Sequence, residues 1–234
     1  AGLLDCRPSY TPGVPNTLVC DRDCPAEDDR EQRAFMKGKP YYRKRLGQLL
    51  WLARTSFPSI AYQVNALARV AHNPPGKTHW DATTKLIRYV SANRDMGLVY
   101  TSPRRASSNV PLCLWSDATW APDYGDIHDN YRSTTGWCST AFDNMLSWNS
   151  HRQSVVAQST SESEWIAAAD AAKEAAFLKN LFTEMRIQAP RAVPLKCDNQ
   201  STIKQSLKQV DQRRCRHMGM RTHFLRQQCH SGNL

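Results

Sequence analysis

The spacing of apolar residues changes once along this 234-residue chain, and the change divides it into two parts. Between about residues 41 and 93 the apolar residues recur every three or four positions, which is the period of an amphipathic helix. From residue 110 onward they alternate in short runs bounded by turn residues, which is typical of strands. We therefore expect a small helical unit at residues 41–101, followed by a sheet-containing domain at residues 110–234.

Two polar segments lie outside these parts. Residues 1–40 are rich in proline and charge, so we expect an extended lead-in that packs on another surface. Residues 102–109 read SPRRASSN, and this composition predicts a linker. Within the helical unit, Pro58 opens the second helix and Thr78 caps the third.

The second part combines strands with helices. Alternating apolar residues predict strands at 110–117, 133–142, 145–149, 153–158 and 193–197. Asp143 and Asn144 are predicted to form the hairpin turn between the second and third of these strands. Helical spacing predicts helices at about 160–186, 199–209 and 216–229. This order of elements predicts an α/β fold, in which a mixed sheet carries helices on its faces.

The charge of the chain favours a polyanionic partner. Thirty-one Lys and Arg residues oppose 21 Asp and Glu residues, which leaves a net charge of +10. Nucleic acid is the polyanion that such a balance most often indicates. Toward the C-terminus the basic residues form a dense group, which either contacts phosphates or is a solvated helix surface. Its candidate nucleic-acid-binding residues are Lys204, Lys208, Arg213, Arg214, Arg216 and Arg221.

The cysteines and the hydropathy bear on the compartment. The eight cysteines are scattered, and only Cys20 and Cys24 lie close together, without a second pair at zinc-site spacing. We interpret them as reduced thiols of an intracellular protein, whose compartment the sequence does not resolve. No apolar run reaches the length of about 18 residues that a membrane span needs, so we expect no membrane partner.

Three acidic residues stand at the ends of predicted elements. Asp117 follows the apolar run VPLCLW, and Asp198 follows the strand VPLKC. Glu164 begins a stripe of the long helix that continues at steps of three and four with Ala168, Ala171, Ala175, Leu178, Phe182 and Met185. Glu162 is turned about 200° away from that stripe and is expected to face solvent.

Each of these acids has an ordinary structural alternative. Asp117 could be a solvated strand end or a turn cap, Glu164 could form a capping box with Ser161, and Asp198 could cap the following helix. Three carboxylates at the edges of one sheet nevertheless repel each other unless a cation or protons neutralise them. Oxygen ligands of this kind suit Mg2+ or Mn2+, and two such ions catalyse phosphodiester hydrolysis.

Several ordered motifs carry a resemblance to a known family. The stretches LWSDATWAPD, RSTTGWCST, LSWNSHRQSVVAQSTSESEWIAAADAAKEAAFLKNL, KCDNQSTI and HMGMRTHFLRQ resemble the ribonuclease H domain of copia-type retrotransposon polyproteins. The preceding RLGQLLWLARTSFPSIAYQVNALARVAHNPPGKTHWDATTKLIRYV and the lead-in LLDCRPSYTPGVP resemble the segment that joins the reverse transcriptase to that domain.

The resemblance implies a fold, a substrate and a site. It implies a ribonuclease H-like fold that binds RNA/DNA hybrid and hydrolyses the RNA strand. It also implies that Asp117, Glu164 and Asp198 are catalytic residues that hold Mg2+ or Mn2+. No polymerase activity is expected, because the Asp28-Asp29 pair lacks a polymerase-like context.

Two departures from the family pattern weaken this expectation. Family members read close to HIDIRYHFIR where this chain reads HMGMRTHFLR, so Gly219 stands at an acidic position. The chain also stops at Leu234, before the last strand and helix that carry a further acid in the family, and Asp211 is the remaining candidate to replace it. The alternative expectation is a catalytically inactive, domesticated RNA-binding or scaffold subunit of a ribonucleoprotein, in which a protein partner covers the open sheet edge.

Overall fold

Helices form one part of the molecule, and a sheet with helices forms the other. The computed structural model describes residues 7–13, 19, 23–26, 28–37, 41–72, 74–102, 110–120, 131–207 and 219–234. The first compact unit comprises Ala1–Leu98 with Pro122–Tyr131. The second comprises Val99–Ala121 with Arg132–Leu234.

The first unit is helical, as its apolar spacing predicts. Its helices are α1 (Arg30–Lys37), α2 (Tyr42–Thr55), α3 (Ala61–Arg69) and α4 (Lys77–Ala92), and a 3₁₀ turn at Pro58–Ile60 precedes α3. Several of the apolar positions with helical spacing are buried, among them Leu46, Leu49, Val64, Leu67 and Leu86, whereas others such as Leu50 and Trp80 are half-buried. Burial of one face per helix therefore holds this unit together.

Two local predictions in this unit were wrong. Residues 30–37 form helix α1 inside the lead-in that was expected to be extended. Thr78 does not cap the last helix, because α4 begins one residue earlier and Gly76 is its N-cap. The fully buried His79 takes over the capping role, since its Nδ1 accepts a hydrogen bond from the Gly76 backbone N–H at 3.2 Å.

The second unit contains a four-stranded mixed sheet, which confirms the predicted α/β class and is consistent with a ribonuclease H-like fold. Its strands are β1 (Cys113–Thr119), β2 (Thr134–Ala141), β3 (Asn144–Arg152) and β4 (Leu195–Lys196), in the order β3-β2-β1-β4. Strands β1, β2 and β3 pair antiparallel, whereas β4 pairs parallel with β1. Strand β1 therefore lies in the interior of the sheet, with β4 on one side and β2 on the other.

The hairpin turn lies one residue earlier than predicted. Ala141 pairs with Asn144, so Phe142 and Asp143 are the two turn residues, with φ of 49° and 66°. Positive φ at both positions is the geometry of the hairpin turn that matches strand twist. The Asn144 side chain stabilises it, because its amide donates to the carbonyls of Ala141 at 3.2 Å and Phe142 at 2.9 Å.

The strand predicted at residues 153–158 is absent: β3 has a register irregularity opposite Ser139 and Thr140, continues to Arg152 and ends there. Gln153 then turns inward and is 2% exposed. Its side-chain amide donates to Thr135 Oγ1 at 3.0 Å and to the Ser163 carbonyl at 2.9 Å. This glutamine thus joins the sheet to the following helix by side-chain hydrogen bonds.

The long helix α5 (Thr160–Glu184) is buried on two sides. The stripe residues Ala171, Ala175, Leu178 and Phe182 pack with Leu114 of β1 and with Leu112 just before it, whereas Ala168 belongs to the second face and Met185 lies beyond the helix and is exposed. A second face packs against Leu225 of helix α7 (Gly219–His230). The short helix α6 (Gln200–Ser206) follows β4.

Candidate metal centre

Two of the predicted site residues stand at neighbouring strand ends. Leu114 pairs with Leu195 and Trp115 with Lys196 in the parallel ladder. Continuing this register past the end of β4 sets Asp198 level with Asp117, which lies near the C-terminal end of β1. Both side chains are exposed, so solvent and ions reach this edge of the sheet.

Glu164 approaches the same strand ends from helix α5. Its side chain is only 7% exposed, and its Oε1 accepts a hydrogen bond from the Ala118 backbone N–H at 3.2 Å. Ala118 directly follows Asp117 on β1, so this bond fixes the carboxylate beside the strand end. Glu164 therefore lies close to both strand ends, but the donor atoms that lie within 4.8 Å of one another there include Asp198 and not Asp117.

The electrostatics of Glu164 reflect this arrangement. Burial, and after it the nearby carboxylates of Asp117 and Asp198, raise its pKa to about 7, although the hydrogen bond from the Ala118 N–H acts to lower it. A carboxyl group with this pKa carries a proton for much of the time near neutral pH unless a cation replaces that proton. The site therefore favours binding of positive charge.

The capping alternatives for these acids are not observed. Ser159 is the N-cap of α5, and its Oγ accepts from the Glu162 N–H at 3.2 Å. Asn199 is the N-cap of α6, and its Oδ1 accepts from the Thr202 N–H at 3.0 Å. Asp117 lies in a regular strand opposite Gly136 rather than in a turn.

The expectation that Glu162 faces solvent was wrong, since it is only 8% exposed. Its Oε2 accepts a hydrogen bond from the Gln158 backbone N–H at 2.8 Å, so the side chain folds back over the helix start. Helical periodicity places a side chain on a face, but it does not anticipate a segment before the helix that covers that face. Glu162 therefore contributes to the helix N-terminus, whereas Glu164 reaches the strand ends.

The structure adds one polar group that the sequence prediction missed. The Cys197 sulfur lies 4.0 Å from Glu164 Oε2. Ligand atoms of Glu164, Cys197 and Asp198 all lie within 4.8 Å of one another. Burial raises the pKa of the Cys197 thiol, and the two carboxylates contribute to the shift. The sequence could have indicated this thiol, because Cys197 directly precedes Asp198 and lies on the strand face that points toward α5.

The chain is similar to polyproteins of plant retrotransposons. It is 31% identical over 225 residues to a retrovirus-related Pol polyprotein from transposon TNT 1-94 of Nicotiana tabacum, which covers 96% of this chain. It is 32% identical over 193 residues, or 82% of the chain, to the corresponding polyprotein from transposon RE2 of Arabidopsis thaliana. The chain belongs to the copia-type retrotransposon Pol polyprotein family.

The chain spans 16% of the length of the tobacco polyprotein and 13% of that of the RE2 polyprotein. A Plasmopara viticola protein named secreted RxLR effector protein 161 is 34% identical over 143 residues, which are 61% of this chain and 94% of that protein. No family model matches the chain. No solved structure matches it either.

The predicted nucleic-acid-binding residues of this Pol segment are described only in part. Lys204 lies exposed on α6, six residues after Asp198. Arg221 lies in α7, but its side chain is outside the described residues. The other four, together with Asp211, lie in the segment 208–218, which is also outside them. The basic surface therefore stays a prediction.

The remaining predictions concern thiols and membranes. Among the described cysteines of the Pol segment, Cys113, Cys138, Cys197 and Cys229 are free thiols, and the Cys24 sulfur lies 3.9 Å from His79 Nε2. None of its described helices is both long and apolar enough to cross a bilayer.

Proposed function

We propose that this segment of the Pol polyprotein binds RNA/DNA hybrid and hydrolyses the RNA strand by two-metal catalysis. Asp117, Glu164 and Asp198 would hold the Mg2+ or Mn2+ ions. The observation that carries the proposal is the position of Glu164, a buried carboxylate held beside the ends of β1 and β4 by the Ala118 N–H.

The donor set fits a hard divalent cation. Each of the three residues supplies carboxylate oxygens, which are the ligands that Mg2+ and Mn2+ prefer. Burial raises the pKa of Glu164, repulsion from Asp117 and Asp198 adds to this effect, and a dication relieves that repulsion without protonating the site. The buried carboxylate of Glu164 would be difficult to explain by packing alone, because burying an acid is unfavourable unless it is paired.

The residues of the chain contribute positioning to the reaction. When bound, the metal ions would activate a water molecule and stabilise the leaving oxygen of the scissile phosphodiester. Glu164 is fixed by the Ala118 N–H and by the rigid helix α5, so its carboxylate is preorganised toward Asp117 and Asp198. The two exposed aspartates leave the outer side of the site open to a polynucleotide.

The basic residues would provide the affinity for the substrate. Lys204 lies on α6, the helix that directly follows Asp198, so a phosphate contact there would be close to the carboxylates. Together with the other predicted basic residues it would track the phosphate backbone with little dependence on sequence. Structured RNA would compete for the same contacts.

The direct test is cleavage of a labelled RNA/DNA hybrid by the purified chain in Mg2+ and in Mn2+. Asp117→Asn is expected to abolish cleavage, because it removes a ligand charge and alters little else. Asp143→Asn is the matched control, since Asp143 is an exposed acid in the hairpin turn at the other end of the sheet. Cleavage that survives Asp117→Asn would refute the proposed site.

A catalytically inactive RNA-binding or scaffold subunit is the second candidate. One observation favours it: Gly219, which replaces an acid of the family pattern, is the first residue of α7. The short Plasmopara viticola relative, 94% of which aligns with this chain, also suggests that the segment can be retained outside a polyprotein. Under this reading a protein partner would cover the β4 edge. Salt-dependent hybrid binding by well-folded protein without any cleavage would support it over the nuclease.

A further inference from the structure

The sulfur of Cys197 changes what the carboxylate site can bind. Glu164 and Asp198 supply hard oxygen ligands, which suit Mg2+, but a thiolate is a soft ligand that Mg2+ does not prefer. Zn2+ accepts both kinds of ligand, and sites that combine Cys with oxygen or nitrogen donors are common for it. The presence of a thiol among these acids therefore bears on metal selectivity.

The distances are compatible with a shared ion. Zn–S bonds of about 2.3 Å and Zn–O bonds of about 2.0–2.2 Å place tetrahedral ligands roughly 3.5 Å apart. The Cys197 sulfur and Glu164 Oε2 are 4.0 Å apart, and all three donors, with the Asp198 carboxylate, lie within 4.8 Å of one another. A contraction of at most about 1.3 Å would bring them to one ion, and the exposed Asp198 side chain can move by that amount.

The backbone holds Cys197 in this position from both sides. Before it, Leu195 and Lys196 pair with β1, and the Lys196 ammonium lies 5.1 Å from the centre of the Trp115 ring on the sheet face away from Cys197. After it, Asn199 caps α6. Because strand side chains alternate between faces, this register directs Cys197 toward α5, where Glu164 lies.

We propose that Cys197, Glu164 and Asp198 form a binding site for a thiophilic divalent cation such as Zn2+, which competes with Mg2+ for the two carboxylates. Asp117 or water would complete the coordination. The competition makes Zn2+ an inhibitor of the nuclease, and this consequence rests on the proposed function. The binding itself does not, since it needs only the three side chains.

Co2+ is the probe for the binding, because a thiolate ligand gives it a charge-transfer absorption that carboxylates do not. The metal-free chain is titrated with Co2+ and then with Zn2+ in the presence of excess Mg2+. The parent chain is expected to show the thiolate band, and Zn2+ is expected to remove it while Mg2+ leaves it in place. Absence of the band in the parent chain would overturn the proposal.

Substitutions of the two cysteines identify the thiol that gives the Co2+ absorption band. Cys197→Ser is expected to remove it and to lower Zn2+ affinity at least about 100-fold, because even outer-shell partners of a metal contribute about 10–100-fold. Cys229→Ser is the matched control, since Cys229 is a half-buried free thiol on α7 outside the cluster. Glu164→Gln is expected to weaken Zn2+ binding but to keep the band. A Cys197→Ser chain that retained the band and the affinity would overturn the proposal.

Hybrid cleavage separates this proposal from the nuclease. If the parent chain cleaves hybrid in Mg2+, added Zn2+ is expected to inhibit the parent chain more strongly than the Cys197→Ser chain. The rate of each chain with Zn2+ is compared with the rate of the same chain without Zn2+. Equal inhibition of both chains would refute the proposed competition between Zn2+ and Mg2+. If neither chain cleaves hybrid but the Cys197-dependent Co2+ band is present, the nuclease proposal fails and the thiophilic site stands.

Discussion

Removing the charge of Glu164 is expected to stabilise the metal-free protein above neutral pH. In the unfolded chain this glutamate ionises near its ordinary pKa of 4.5, whereas burial and two neighbouring carboxylates raise the pKa to about 7 in the folded protein. Between these values the folded state holds a proton that the unfolded state has lost. Unfolding therefore releases a proton, and the free energy of unfolding falls as the pH rises from about 4.5 to 7.

The size of the effect follows from the shift. Each pKa unit corresponds to about 1.36 kcal/mol, so the shift from 4.5 to about 7 gives an upper limit of about 3 kcal/mol. Water that reaches the exposed Asp117 and Asp198 side chains screens the site and reduces this value. Glu164→Gln keeps an oxygen that can accept the Ala118 N–H but has no proton to lose. Above pH 7 it is expected to be more stable than the parent chain by about 1–3 kcal/mol, and near pH 4 the two should be equal.

Urea unfolding followed by circular dichroism, in a chelator and across pH 4 to 8, measures this difference. Glu184→Gln is the matched control, because Glu184 is an exposed residue at the other end of the same helix. Its stability is expected to follow that of the parent chain at every pH. Parallel pH profiles for Glu164→Gln and the parent would refute the assignment of a raised pKa to Glu164.

Three further outcomes are expected. Adding Mg2+ at pH 8 should raise the free energy of unfolding of the parent chain but change that of Glu164→Gln much less, because the dication offsets the repulsion among the acids; equal stabilisation would argue against Glu164 as a ligand. Gln153→Ala should lose about 2–4 kcal/mol of stability in urea unfolding, since it removes two buried hydrogen bonds and leaves a cavity. Asn144→Ala should lose about 1–2 kcal/mol by the same measurement, because the turn carbonyls lose their donor; an unchanged midpoint would show that strand pairing alone sets the turn.

The sequence by itself determined the class of the fold and the family to which the chain belongs. The change from helical to strand period separates a helical segment from a sheet domain, because burial of one face imposes a period of 3.6 or 2 on the apolar residues. The same periodicity placed Glu164 on the stripe that packs on the sheet. The ordered motifs gave the family.

Where the sequence prediction failed, the structure contains side-chain hydrogen bonds that the spacing of apolar residues does not reveal. Gln153 ends β3 by bonding to another strand and to α5, so an alternating segment after it does not become a strand. The turn at Phe142 and Asp143 depends on the side chain of Asn144, which selects one of two adjacent turn positions. Glu162 is buried by the segment that precedes its own helix.

The set of residues at the site depends most clearly on the tertiary structure. The sequence separates Glu164 from Cys197 by 33 positions, and no local pattern relates the two. The parallel register of β4 on β1 brings the thiol and Asp198 level with the end of β1, and packing of α5 on the sheet brings Glu164 to the same point. Residue types determine which ligands the chain can offer, but only the register and the helix packing decide which of them share one ion.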